Sequence, residues 1–313
     1  MKFPTFRRSL TPWLCGALLL PFLTACNSRV APSPDVVAAA QLETSAAFFD
    51  DFSYSSAQDE ALRAHGWLVR ADRHGPGVPG SWSRRLVSFL DDPERADNRF
   101  MRLTAVTAGT PETTGQAQVY GPVEHLEGTY AARVRFSGEP LSGPGGDQVV
   151  QTFYTIADPT LPLGTAYSEL DFEYLPNGGW SGLTTPALHV ASWAAYSSPD
   201  QKDVKSTPLR GRLSGWQTLS VTALKGRVTF RVGETVVAVY EGRYAPDSRM
   251  RLAFNHWFIA TGLAAAGERR EYAQDVDWVL HVKDQALTPA QVTRTVQRLR
   301  EEGHRFQAGA RKP

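Results

Sequence analysis

The stretch Tyr167-Ser168-Glu169-Leu170-Asp171-Phe172-Glu173-Tyr174 sets three acids two residues apart, interleaved with apolar side chains. Side chains alternate along a strand, so Glu169, Asp171 and Glu173 share one face while Leu170, Phe172 and Tyr174 enter a core. Carboxyls crowded on one face add nothing to packing. Their mutual repulsion splits their protonation, so that one holds a proton while its neighbour is ionised. Cleavage of a glycosidic bond needs that division: one carboxyl protonates the leaving oxygen and another attacks the anomeric carbon. Asp171, lying between the two glutamates, can hydrogen-bond one of them. A retaining reaction requires its two working carboxyls to lie about 5–5.5 Å apart. Cα atoms four residues apart on an ideal strand are separated by about 13 Å, so the outer side chains must lean together. The plain alternative is a solvated strand face. With 32 acids in 313 residues, such a row arises by chance on the order of 0.3 times in the chain. Its context is what marks it: the apolar alternation is complete, and the turn Pro176-Asn177-Gly178-Gly179-Trp180 follows directly.

The surrounding chain reads as strands. Thr129–Phe136, Val149–Ile156, Gln217–Leu224, Arg227–Val232, Met250–Ile259 and Val276–Lys283 are short apolar-alternating runs, and Gly, Pro, Asn and Asp punctuate them closely. Val232-Gly233-Glu234-Thr235 carries the glycine of a type II′ hairpin. This is the pattern of an all-β sandwich or barrel. One helix is expected at the end, over 288–303: Thr288 caps it, Pro289 opens it, and Val292, Val296 and Leu299 follow at helical spacing. The basic tail behind it, with Arg305, Arg311 and Lys312, reads as a solvated terminus.

The composition bounds the partners. Lys and Arg number 33 against 32 Asp and Glu, so no basic excess exists to neutralise the phosphates of a nucleic acid. The start of the chain is an address. Lys2, Arg7 and Arg8 precede an apolar run, Trp13 to Leu23, that is shorter than the ~20 helical residues a bilayer span requires, which reads as a cleaved signal peptide. It ends in Leu23-Thr24-Ala25-Cys26, which resembles the lipobox of bacterial lipoproteins and implies acylation of Cys26. Cleavage discards Cys15, leaving no pair for a disulfide and no thiolate cage for a metal. It also removes Lys2, Arg7 and Arg8 and no acid, which turns a net charge of +1 into −2. The expected organisation is a signal peptide over 1–25, lipidated Cys26 and a tether over 26–47, a β-sandwich over 48–285, and a helix and tail over 286–313. A monomer exported to the cell membrane or outer envelope is expected.

The acid strand Glu169-Leu-Asp171-Phe-Glu173-Tyr-Leu-Pro-Asn177 resembles the active-site strand of glycoside hydrolase family 16. The likeness extends to Phe49-Asp-Asp-Phe52, Gly128-Thr-Tyr-Ala-Ala-Arg-Val-Arg135, Gly215-Trp216-Gln217-Thr218, Phe254-Asn255-His256-Trp257 and Asp277-Trp278-Val279, over residues 48–284. The resemblance implies a concanavalin A-like β-jelly roll and a retaining endo-glycanase or transglycosylase that needs no cofactor. Glu169 would be the nucleophile, Asp171 the assisting acid and Glu173 the acid/base. The row has no extra residue between Asp171 and Glu173, which is the unbulged form seen in lichenases and xyloglucan endotransglycosylases. Asp277 matches a position near the structural calcium of some members. The segment Val150-Gln-Thr-Phe-Tyr154 departs from the tryptophan-rich sequence of many members, which leaves the polysaccharide open, β-glucan or β-galactan.

Sugar faces stack on aromatic rings. Trp180 follows the acid strand; Trp193 shares a strand face with His189, and Trp257 with Asn255; Tyr154 is a further candidate. His189 is read either as a cleft hydrogen-bonder or as a satisfied structural histidine. Trp67, Trp82, Trp216 and Trp278 are assigned to packing. A non-catalytic carbohydrate-binding lipoprotein on the same sandwich is the alternative reading.

Overall fold

The computed structural model describes residues 47–72, 74–79, 81–157, 167–198 and 200–309. The signal segment, Cys26 and most of the tether lie outside the described residues, as do Arg311 and Lys312. The strands in chain order are β1 (Ala47–Asp50), β2 (Leu68–Val69), β3 (Val87–Asp91), β4 (Arg99–Thr107), β5 (Ala117–His125), β6 (Gly128–Phe136), β7 (Val149–Ala157) and β8 (Glu169–Leu175). There follow β9 (Ala187–Ser198), β10 (Gln201–Arg210), β11 (Trp216–Leu224), β12 (Arg227–Val232), β13 (Thr235–Glu241), β14 (Met250–Phe258), β15 (Arg270–Lys283) and β16 (Phe306–Ala308).

Two antiparallel sheets face each other. One has the order β13-β12-β11-β6-β15-β1-β16, with β4 on the other half of β15 and β3 beyond β4. The second runs β10-β9-β8-β7-β14-β5-β2, which puts the acid strand inside the sheet rather than at an edge. The alternation read from the sequence decides which face goes where. Phe153, Phe172 and Phe254 from the second sheet meet Tyr130, Val134, Val221 and Phe230 from the first, all almost fully buried. Phe172 packs on Phe153 and Phe230 with ring centroids 5.9 and 5.3 Å apart. The architecture is the jelly-roll sandwich expected, and the Gly233 hairpin joins β12 to β13 with φ +54° at the glycine.

The helix runs Pro289–Glu301, with Thr288 and Gln291 forming a reciprocal capping box. It packs Val292, Val296 and Leu299 against Phe49, Trp278, Leu280 and Val282 on the outer face of the larger sheet. The described part of the segment behind it is docked on the sheet rather than free. The backbone N–H of Asp51 donates to the carbonyl of Arg305, whose guanidinium lies 3.1 Å from the Asp51 carboxylate. Phe306–Ala308 then pairs with β1, and the Phe306 ring stacks on His65 at 3.7 Å. A short apolar anchor one turn past the helix therefore closes the sheet edge, a signal too brief to stand out in the sequence.

Asp277 has a different role from the calcium ligand implied by resemblance. It is fully buried at a bulge of β15, where Arg133, Arg300 and Asn98 bond its two oxygens at 2.7, 2.8 and 2.9 Å. Arg95 approaches to 3.6 Å. A cation there would have to displace guanidinium groups already in place. Burial raises the Asp277 carboxyl, but the charge and hydrogen bond of Arg300, with the hydrogen bonds of Asn98 and Arg133, outweigh it and hold the group below its ordinary range. Asp277 is an electrostatic rivet between β15, β6 and the C-terminal helix.

Candidate active site

The seven-stranded sheet turns Glu169, Asp171 and Glu173 to its outer face. The strand register builds the site in rows. Glu169 lies between Ile156 on β7 and Trp193 on β9; Asp171 between Tyr154 and Ala191; Glu173 between Thr152 and His189. One strand further, Asn255 on β14 lies beside Thr152, and Gln118 on β5 beside Asn255. Asp171 is almost fully buried, and the two glutamates are half-buried.

Each acid has its own partner. The phenol of Tyr167 donates to Oε2 of Glu169. The indole N–H of Trp193 donates to Oδ2 of Asp171 at 2.6 Å. Trp180 turns its N–H toward Glu173 and offsets part of the burial penalty, without reaching hydrogen-bond geometry. Burial pushes the Glu169 carboxyl up to about 7, opposed by hydrogen bonds from Tyr167 and Asp171. Burial and the nearby Glu169 charge push Glu173 up to about 8. Asp171 rises well above the carboxylate range through burial and its two acidic neighbours, and so keeps a proton to donate to Glu169. The row thus contains one carboxyl that ionises first, one that stays protonated longer, and a protonated aspartic acid between them.

Glu173 sits beside a set of polar atoms with no hydrogen bond inside the protein. Of seven such buried side-chain atoms among the described residues, four belong to this corner: Thr152 Oγ1, Asn255 Oδ1, Trp257 Nε1 and Trp180 Nε1. Buried polar groups are normally satisfied, so their concentration at one place points to a ligand. Trp257 and Trp180 meet with ring centroids 5.8 Å apart, over Val150, Leu175 and Trp82. The turn after β8 makes this possible. Gly178 and Gly179 have φ of +70° and +140°, and a Cβ on Gly179 would stand 2.5 Å from Ile259.

Of the site residues expected from the sequence, Cys26 lies outside the described residues and Asp277 lies in the other sheet. The structure brings all the others to this face, though not in equal exposure. Trp193 and Trp180 are half-buried, Trp257 is 8% exposed, Asn255 6%, Tyr154 5% and His189 2%. Trp257 therefore serves more as floor than as an open stacking surface. Burial keeps His189 neutral at ordinary pH. Reading the sequence missed Tyr167 and Thr152, and it missed the chain from Arg70 through Gln118 to Tyr154. In that chain Arg70 Nη1 donates to Gln118 Oε1 at 2.6 Å, and Gln118 Nε2 donates to the Tyr154 hydroxyl. Arg70 also covers the Trp82 ring at 4.4 Å. Tyr167 shares the parity of the acid row and was legible on that ground; the Arg70 chain depends on strand order.

Solved structures share this architecture. A Bacteroides ovatus family 16 glycoside hydrolase from a mixed-linkage glucan locus, in complex with an oligosaccharide product, superposes with a TM-score of 0.57 at 15% identity, covering 74% of this chain and 98% of its own. The fold is that of glycoside hydrolase family 16. A Bacillus licheniformis β-glucanase gives a TM-score of 0.56 at 14% identity, covering 77% and 99%. An immunostimulatory antigen and pseudo β-1,3-glucanase of Mycobacterium tuberculosis gives 0.52 at 18%, covering 75% and 98%. No protein-family model and no curated protein matches the sequence.

Proposed function

We propose that this protein is a retaining endo-glycosidase or transglycosylase of family 16 type that acts on a β-linked polysaccharide, a β-glucan or β-galactan. The observation that carries the reading is the acid row itself: three carboxyls on one strand face, each with a different partner, beside unsatisfied polar atoms. In the first step an oxygen of Glu169 attacks the anomeric carbon. The glycosidic C–O bond breaks and the leaving oxygen takes the proton of Glu173, leaving a glycosyl ester on Glu169. In the second step Glu173 accepts a proton from water or from a sugar hydroxyl, which attacks the same carbon and frees the Glu169 carboxylate. Asp171 donates to Glu169 and stabilises its charge before attack and on release.

The fold neighbours include both a glucanase and a pseudo-glucanase, so the fold alone does not separate an enzyme from a carbohydrate-binding protein. The acids do, because binding a sugar gives no use to crowded carboxyls. The deciding experiment incubates the soluble domain with a panel of β-glucans and galactans beside Glu169→Gln. We expect reducing ends or re-formed linkages from the wild type, and a rate at least about 10³-fold lower from the variant. Equal binding by both with no product from either would leave the carbohydrate-binding reading. We further propose lipid anchoring at Cys26, supported by the lipobox-like sequence. Cys26→Ser should move the full-length protein from the membrane to the soluble fraction; unchanged fractionation refutes it.

A further inference from the structure

Tyr167 lies two residues before Glu169, and its hydroxyl donates to Oε2 of that carboxylate. Its ring also stands 5.8 Å from Tyr196, at the rim where Trp193 meets Tyr196 edge-on at 5.9 Å. The ring is thus held by aromatic neighbours while the hydroxyl is committed to the acid. Resting on the function proposed above, we propose that Tyr167 is a positioning residue for the nucleophile: it fixes one oxygen of Glu169, keeps the carboxyl ionised, and leaves the other oxygen for the anomeric carbon.

The chemistry follows from the donor's location. Burial and the adjacent Glu169 charge hold the phenol's proton on far beyond its ordinary range, so Tyr167 is a donor at every working pH. A hydrogen bond to a charged acceptor is stronger than one to a neutral acceptor. When Glu169 forms its ester the charge on the accepting oxygen falls and the bond weakens. When the ester is cleaved the carboxylate returns and the bond is regained, which favours its departure from the anomeric carbon. Tyr167 therefore assists the second step more than the first. The other titratable or charged groups facing Glu169 from the strands around it are Asp171 and Glu173 on its own strand, Tyr154 on β7, and His189 and Tyr196 on β9. Arg251 on β14 lies across Ile156, and Lys202 on β10 lies 6.0 Å above the Trp193 ring. Among the described residues, the donors that reach Glu169 itself are Tyr167 and Asp171.

Tyr167→Phe removes only the hydroxyl. The acidic limb of kcat/KM should move upward by on the order of one pH unit, because the carboxylate loses a charge-assisted donor. Glycosyl-enzyme should accumulate in a pre-steady-state burst that the wild type lacks. A ring-fluorinated tyrosine at 167, a stronger donor of the same shape, should move the limb downward, and it carries the test if the phenylalanine variant does not fold. A ¹³C titration of the Glu169 carboxyl in each protein reads the same hydrogen bond without substrate. An active wild type whose limb and carboxyl titration stay put in both variants, with only KM changed, overturns the role and makes Tyr167 a stacking residue. A wild type that cleaves no polysaccharide removes the functional reading and the role together.

Discussion

At the scale of residues, Glu169 and Glu173 are alike in type, strand and face, and environment alone separates them. Tyr167 and Asp171 donate to one; among the described residues the other has the approach of Trp180, and it feels the charge of the first. Activity by double displacement needs Glu169 ionised and Glu173 protonated. Activity should therefore rise as pH passes through about 7 and fall as it passes through about 8, a narrow bell read from kcat/KM against pH. A flat profile from pH 5 to 9 would refute the division of roles. The acids were legible in the sequence because a period of two places them on one face irrespective of the rest of the fold. Thr152 and Gln118 were not, because what makes each one part of the site is a neighbour on another strand.

At the scale of elements, β15 links the two halves of the larger sheet. Its bulge turns both Asp277 and Trp278 outward, Trp278 into the apolar seam under the helix and Asp277 into the arginines. Asp277→Ala would leave those guanidinium groups clustered with no counter-charge, at a cost of roughly 2–4 kcal/mol in urea unfolding. EDTA should leave the melting temperature of the wild type unchanged, and a drop on chelation would restore calcium to consideration. The helix could be read from Thr288-Pro289 and its spacing, since both caps and period are local. The bulge, the arginine cluster and the return of Phe306–Ala308 to β1 could not, because each joins residues far apart in the chain. Family likeness pointed to Asp277 as a position of interest, and the structure supplies the opposite charge.

At the scale of the molecule, the sandwich carries a helix on one outer face and the acids on the other, and the core between them must hold the acid strand rigid. That arrangement costs stability. Glu173 has a folded-state pKa raised from about 4.5 to about 8, so the folded state binds its proton more tightly than the unfolded one. The cost is small below pH 4.5, grows as pH rises and is complete above about 8. Glu173→Gln should melt a few degrees higher than wild type at pH 8.5 and nearly level with it at pH 4.5. Scanning calorimetry at the two values checks this, and an equal difference at both would rule out a titrating origin. An all-β sandwich or barrel was legible from spacing and turn residues, and the family resemblance pointed to the two-sheet form; which strand neighbours which was not legible, since sequential order and sheet order diverge wherever β7 meets β14 or β6 meets β15.

The clamping of β1 has a mechanical meaning. Any pull transmitted along the segment that precedes the described fold enters at Ala47, and this strand is hydrogen-bonded to β15 on one side and β16 on the other. Force along its axis loads two ladders in shear at once, so they must fail together rather than unzip bond by bond. It is also delivered into the sheet opposite the one that holds β8. A protein held by its first residues in flowing fluid, or dragged by a polymer it is cutting, would take the strain through the sheet that does no chemistry.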